Sequence, residues 1–114
     1  MEEYLHITTR NDAEGILQDM HWSDGSFGYF PTYLLGTIYD GMFLEAIEEE
    51  MGPIDDILKE GRIKDITKWL NTNIHQYGSS RKPKEVIKAV CGKEVSAKPI
   101  LKYFEEKYKV IYNL

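Results

Sequence analysis

Cysteine is nearly absent from this sequence: Cys91 is the only one in 114 residues. A single thiol closes no disulfide within the chain and suits a reducing compartment, so a cytoplasmic setting is expected. Long apolar runs are missing too. The richest stretch, from Tyr29 to Ile47, is broken by Thr32, Thr37, Asp40 and Glu45. No membrane span and no apolar segment of a signal peptide fits that pattern. Positive charge is scarce: 14 Lys and Arg against 19 Asp and Glu leave a net charge of −5. That balance argues against a nucleic-acid partner spread over the surface. Histidine is limited to His6, His21 and His75, with no His-Glu-x-x-His or Cys-x-x-Cys. A metal needs three or four converging ligands. Asp19, His21 and Asp24 can be drawn as a site, yet their spacing does not demand one, so no metal is expected in this chain.

What is present suffices for one modest core. Hydrophobic residues make up 42% and aromatic residues 12%, which places residues 1–114 as a single helical domain. Charge is segregated along the chain. Residues 1–80 carry 5 Lys or Arg against 15 Asp or Glu, whereas residues 81–114 carry 9 against 4. A basic tail packed near an acidic body is the expectation; a basic patch for an acidic partner is the alternative.

Punctuation and periodicity predict an all-α chain of about five helices. Asn11 followed by Glu14 resembles a capping box that opens a short helix toward Leu17. His21 to Gly28 is loop chemistry, after which Pro31 starts a long helix ended by Gly52-Pro53. Leu34, Leu35, Ile38, Tyr39, Met42, Phe43, Ala46 and Ile47 recur in pairs four residues apart, predicting one long buried helix. Gly36 and Gly41 inside it point to another backbone, or a ligand, at close range. Pro53 to Leu58, Ile63 to Ile74, and Pro83 to Gly92 give three further helices, and Ser96 is a fair N-cap for the last. Val110-Ile111-Tyr112 extends that helix or forms an extended tail. Only Tyr4-Leu5-His6-Ile7 alternates as a strand would.

Chemistry-bearing residues are densest between Gly15 and Gly36. Gln18, Asp19, His21 and Trp22 fall together, followed by Tyr29 and Tyr33. A histidine with phenols beside it can polarise a carbonyl or steady an oxyanion. By residue type alone, Asp19 could equally cap a helix, and Trp22 and the tyrosines could be packing. His75, in the last turn of a predicted helix, suits the dipole there. Cys91, with Lys88 and Lys93 nearby, is either activated by them or a buried, inert thiol. Glu48-Glu49-Glu50 sits at the negative end of the long helix, which is mildly unfavourable unless cations approach.

The run Gly15-Ile16-Leu17-Gln18-Asp19-Met20-His21-Trp22 is similar to the Gly-x-x-Gln-Asp-x-His-Trp signature of the thermostable carboxypeptidase family, helical zinc metallocarboxypeptidases. The resemblance continues through Ser23, Gly28-Tyr29-Phe30-Pro31-Thr32-Tyr33 and Leu35-Gly36. It returns at Trp69-Leu70, Ile74-His75, Gly78, Pro83 with Glu85, Gly92-Lys93-Glu94 and Lys107-Tyr108. It departs at His6, where the family commonly has glycine, and at Gly41-Met42-Phe43, which differs from the usual small-and-Gln run.

The resemblance implies a C-terminal segment of a protein several times longer. The family's zinc ligands and general base lie on an upstream His-Glu-x-x-His helix that this sequence lacks, as it lacks the arginine motifs for the substrate carboxylate. Zinc is thus implied for the full-length parent and not for this chain. Mapped onto this sequence, His21 would donate to the substrate carbonyl or the tetrahedral oxyanion. Tyr33 would be its phenol partner and Tyr29 the second choice. Gln18 and Asp19 would shape the substrate cleft and orient His21, with an Asp–His hydrogen bond fixing the tautomer. The implied reaction of the complete enzyme is attack by zinc-activated water on the last peptide bond of a peptide substrate. This chain would supply the oxyanion side and be inactive alone. The alternative is a truncated, non-catalytic helical interaction module, or one half of a split peptidase. Its partners would be a second copy of itself or the missing N-terminal catalytic segment, with neither nucleic acid nor membrane involved.

Overall fold

A computed structural model describes residues 2–114. Among the described residues it contains seven α-helices, three 3-10 turns and no strand, which agrees with the all-α expectation. The chain divides into two compact units, with the boundary between Tyr33 and Leu34.

The first unit is built from short pieces. α1 covers Glu2–Leu5, so the alternation at Tyr4–Ile7 does not make a strand. The His6 N–H donates to the Glu2 carbonyl at 3.0 Å, and His6 itself turns left-handed at φ 53°. The helix expected from Asn11 to Leu17 is instead two 3-10 turns, Asp12–Glu14 and Ile16–Gln18. Asn11 does cap the first, its Oδ1 accepting from Glu14 N–H at 3.0 Å. Gly15 breaks the run by leaving helical geometry (φ −116°, ψ −114°). It is buried, and a Cβ there would lie 3.1 Å from Thr9 Oγ1. α2, Met20–Ser23, follows.

α3 runs Pro31–Met51 as punctuated, with Pro31 in its first turn and Gly52 stopping it at φ 89°. It is less buried than its apolar pattern suggests. Only Gly41, Met42, Ala46 and Ile47 are buried, and Leu34 is 64% exposed. Cover arrives from the later helices, and it reaches only the second half of α3.

Those helices are α4 (Ile54–Lys59), α5 (Ile63–Asn73), α6 (Pro83–Cys91) and α7 (Lys98–Tyr112). Ala46, Ile47 and Trp69 form the core, flanked by Met51, Ile54, Ile66, Leu70, Ile74, Val90 and Cys91. Met42, Ile57 and Ile87 are fully buried. Ala97 rather than Ser96 caps α7, although Ser96 Oγ accepts from Lys98 N–H at 3.2 Å. Val110, Ile111 and Tyr112 continue that helix. A Cβ on Gly41 would come within 2.6 Å of Ile100 Cβ and 2.7 Å of its backbone nitrogen. α7 can therefore begin where it does only because residue 41 has no side chain. Gly36, by contrast, has nothing within 4 Å of such a Cβ.

The acidic end of α3 is exposed but engaged by partners. Lys93 Nζ donates to Glu45 Oε2 at 2.9 Å and to Glu49 Oε1 at 3.1 Å, which brings the basic tail onto the acidic body. Glu48 Oε1 accepts from Ile54 N–H at 3.0 Å, and Glu50 Oε2 accepts from Trp69 Nε1–H at 2.6 Å. The approaching cation offsets the unfavourable charge at this helix end. No helix among the described residues is long and apolar enough to cross a membrane.

Candidate active site

Asp19 sets the local geometry. Its extended backbone (φ −79°, ψ 112°) places it as N-cap of α2, where its carboxylate accepts from His21 N–H at 2.9 Å. Aspartate is among the strongest N-caps because its short side chain meets the otherwise unpaired first-turn donors. The same Oδ1 lies 3.1 Å from His21 Nδ1. One carboxylate oxygen thus holds both the start of α2 and the imidazole two residues on.

The chain then reverses. Ser26 N–H donates to the His21 carbonyl at 2.7 Å and to Asp24 Oδ1 at 2.9 Å. The Ser26 hydroxyl, its N–H and the nearby His21 hold the Asp24 carboxyl below the usual carboxylate range. Gly28 turns at φ 76°, a conformation that glycine adopts without steric cost. Thr32 locks the entry to α3 by donating its hydroxyl to the Tyr29 carbonyl at 2.7 Å.

This turn folds three aromatic rings onto His21. The Tyr29, Phe30 and Tyr33 centroids lie 5.4, 5.6 and 5.8 Å from the imidazole, with Phe30 and Tyr33 edge-on. The Tyr33 hydroxyl is 3.4 Å from His21 Nε2, at the long end for a hydrogen bond. His21 remains reachable, with 23% of its side chain exposed. The arrangement gathers one imidazole and two phenols beside each other, groups suited to meeting a carbonyl oxygen or its anion.

Of the residues singled out in the sequence, Asp19, His21, Tyr29 and Tyr33 come together. Gln18 turns away, donating its amide to the Ala13 carbonyl at 2.6 Å. Phe30, which also faces the imidazole, is not marked as a site residue by its type. Its signal was its place between Tyr29 and Tyr33, and an aromatic next to a loop reads as ordinary packing. Trp22 lies tilted against Phe27, centroids 6.2 Å apart, and is 54% exposed rather than core.

Elsewhere, burial pushes the Cys91 thiol up despite Lys93, and its Sγ contacts the Met42 carbonyl at 3.6 Å. That is the inert alternative. His75 lies in the 3-10 turn after α5 with Nδ1 2.9 Å from Asn71 Oδ1. Among the described residues, no three His, Cys, Asp or Glu side chains are grouped to hold a metal ion.

Residues 1–108 match the model of the Carboxypeptidase Taq (M32) metallopeptidase family. The chain is 39% identical over 113 residues to Carboxypeptidase 1 of Bacillus subtilis, covering 99% of this chain and 23% of that protein. It is 36% identical over 111 residues to Thermostable carboxypeptidase 1 of Thermus thermophilus, covering 97% and 22%. A crystal structure of BsuCP superimposes with a TM-score of 0.85 at 39% identity, over 95% of this chain and 22% of that one. The chain thus spans under a quarter of the length of the relatives it matches. With nearly every residue inside the family match, this helical chain belongs to the Carboxypeptidase Taq (M32) metallopeptidase family and corresponds to a fragment of its longer members.

Proposed function

We propose that this chain is the C-terminal part of a cytoplasmic zinc metallocarboxypeptidase that releases C-terminal amino acids from peptides. It supplies the oxyanion side of the site and is inactive alone. The observation that carries the reading is the reachable His21 imidazole, tied to Asp19 at Nδ1 and to the Tyr33 hydroxyl at Nε2. His21 and Tyr33 meet the substrate oxygen as charge develops on it, Tyr29 lines the same wall, and Asp19 orients the imidazole. Gln18 acts on the cleft only indirectly, by bracing the turn through Ala13. Hydrogen-bond donors brought to the point where charge develops stabilise an oxyanion.

No donor set in the described residues fits zinc. Zinc and the general base belong to the part of the family protein that lies outside this chain. Zinc quantification and a carboxypeptidase assay on the chain alone should both read blank. Mixing it with the zinc-bearing remainder of a relative should restore zinc-dependent release of C-terminal residues. Tight stoichiometric zinc with turnover by the chain alone would overturn the proposal.

The exposed apolar residues of the first unit, among them Leu17, Met20, Phe27 and Phe30, also support a docking role without catalysis. In that reading the chain is a helical module that pairs with itself. Light scattering separates the two: self-association without affinity for the remainder favours the module.

A further inference from the structure

Each ring nitrogen of His21 faces one polar neighbour, Asp19 at Nδ1 and Tyr33 at Nε2. Asp19 Oδ1 already accepts from the His21 backbone N–H and lies 3.1 Å from Nδ1. An ionised carboxylate only accepts hydrogen bonds, so that contact requires the proton on Nδ1. A neutral imidazole has one N–H. With it on Nδ1, Nε2 keeps a lone pair facing the Tyr33 hydroxyl 3.4 Å away, and the tyrosine is the donor. In that state His21 can accept through Nε2 but cannot donate.

We propose that Asp19 is a positioning residue that holds neutral His21 as the Nδ1–H tautomer, so that His21 donates to a substrate oxygen only as the imidazolium. Its catalytic meaning rests on the function proposed above. The second proton turns Nε2 from acceptor to donor, and Tyr33 no longer has to direct its hydroxyl proton at the ring. Nε2–H and the phenol can then converge on one anionic oxygen, the pattern that a tetrahedral oxyanion requires and an uncharged ligand does not. Asp19 balances the imidazolium directly. Asp24, held ionised by Ser26, adds a second negative charge nearby. Tyr29 and Tyr33 are the other titratable groups beside the ring, and Phe30 contributes only an uncharged edge.

The test is a long-range ¹⁵N–¹H correlation spectrum of the ¹⁵N-labelled 114-residue chain, at a pH where His21 is neutral. Protonated and bare ring nitrogens differ widely in ¹⁵N shift, and His21→Phe assigns the signals by their loss. The expected wild-type pattern is protonated Nδ1 and bare Nε2. Asp19→Ser keeps an N-cap oxygen for α2 but withdraws it from the ring, and should move the majority population to Nε2–H. Tyr33→Phe should leave the Nδ1–H form in place. A wild-type ring already in the Nε2–H form, or an unchanged tautomer in Asp19→Ser, overturns the proposal. The amide spectrum reveals a variant that has unfolded, and the wild-type pattern then decides by itself. No turnover enters this readout. A failed reconstitution removes the peptidase reading and leaves the tautomer standing, whereas the opposite tautomer removes only the inference drawn here.

Discussion

His6 carries a cost that the fold does not visibly offset. Its φ of 53° lies in the left-handed region, where a side chain crowds the following carbonyl by roughly 1–2 kcal/mol. Replacing His6 with Gly should relieve that strain, less the extra flexibility of glycine when unfolded, for a net gain of about 0.5–1 kcal/mol. Hydrogen exchange at residue 6, whose amide bonds to Glu2, should slow several-fold. At the site, replacing the equivalent of His21 with Phe in a complete relative should lower kcat by about 10²–10³ with KM little changed. An unaltered kcat would strike His21 from the reaction. Cys91 gives a pH-dependent check. Burial raises its thiol above the ordinary value, so the unfolded chain loses that proton first and rising alkaline pH favours unfolding. Alkylation near pH 8 should be several-fold slower in the folded chain than in urea. At this scale the Gly15–Trp22 run carries Asp19 and His21, and the Gly28–Tyr33 block carries both phenols. Phe30 was not legible, because nothing in a residue's type distinguishes a ring that braces an imidazole from one that fills space.

Helix boundaries were written plainly by Pro31, Gly52, Pro83 and Gly92, since backbone freedom and a missing N–H act locally. Burial was not. The apolar stripe of α3 says which face would be covered, but not how far along the helix cover extends, and Leu34 lies beyond it. Contacts distant in sequence, such as Glu50 with Trp69 and Lys93 with Glu45 and Glu49, had no local signature at all. The two helical glycines separate propensity from packing. Gly36→Ala should stabilise the chain by up to about 1 kcal/mol, because alanine favours the helix and the position is open. Gly41→Ala should cost about 1–3 kcal/mol, because its methyl meets the Ile100 backbone, which cannot swing aside. Urea unfolding of the two variants measures both, and a stabilised Gly41→Ala would refute the close approach.

At the scale of the whole chain, the two units differ in how they are held. The second, Leu34–Leu114, has a core centred on Ala46, Ile47 and Trp69. In the first, Gly15 is the only buried residue among those described, while Tyr4, Leu17, Met20 and Phe27 are each more than two-thirds exposed. The family match made sense of the length, which composition alone presented as one ordinary domain. Cooperative unfolding of the second unit should therefore persist when the first is already open, giving two phases by hydrogen exchange. The first unit's uncovered side chains also have a consequence inside a cell. Exposed apolar side chains on loosely held backbone are what chaperones retain and proteases cut. Where that surface stays uncovered, proteolysis should begin in the first unit and spare the second.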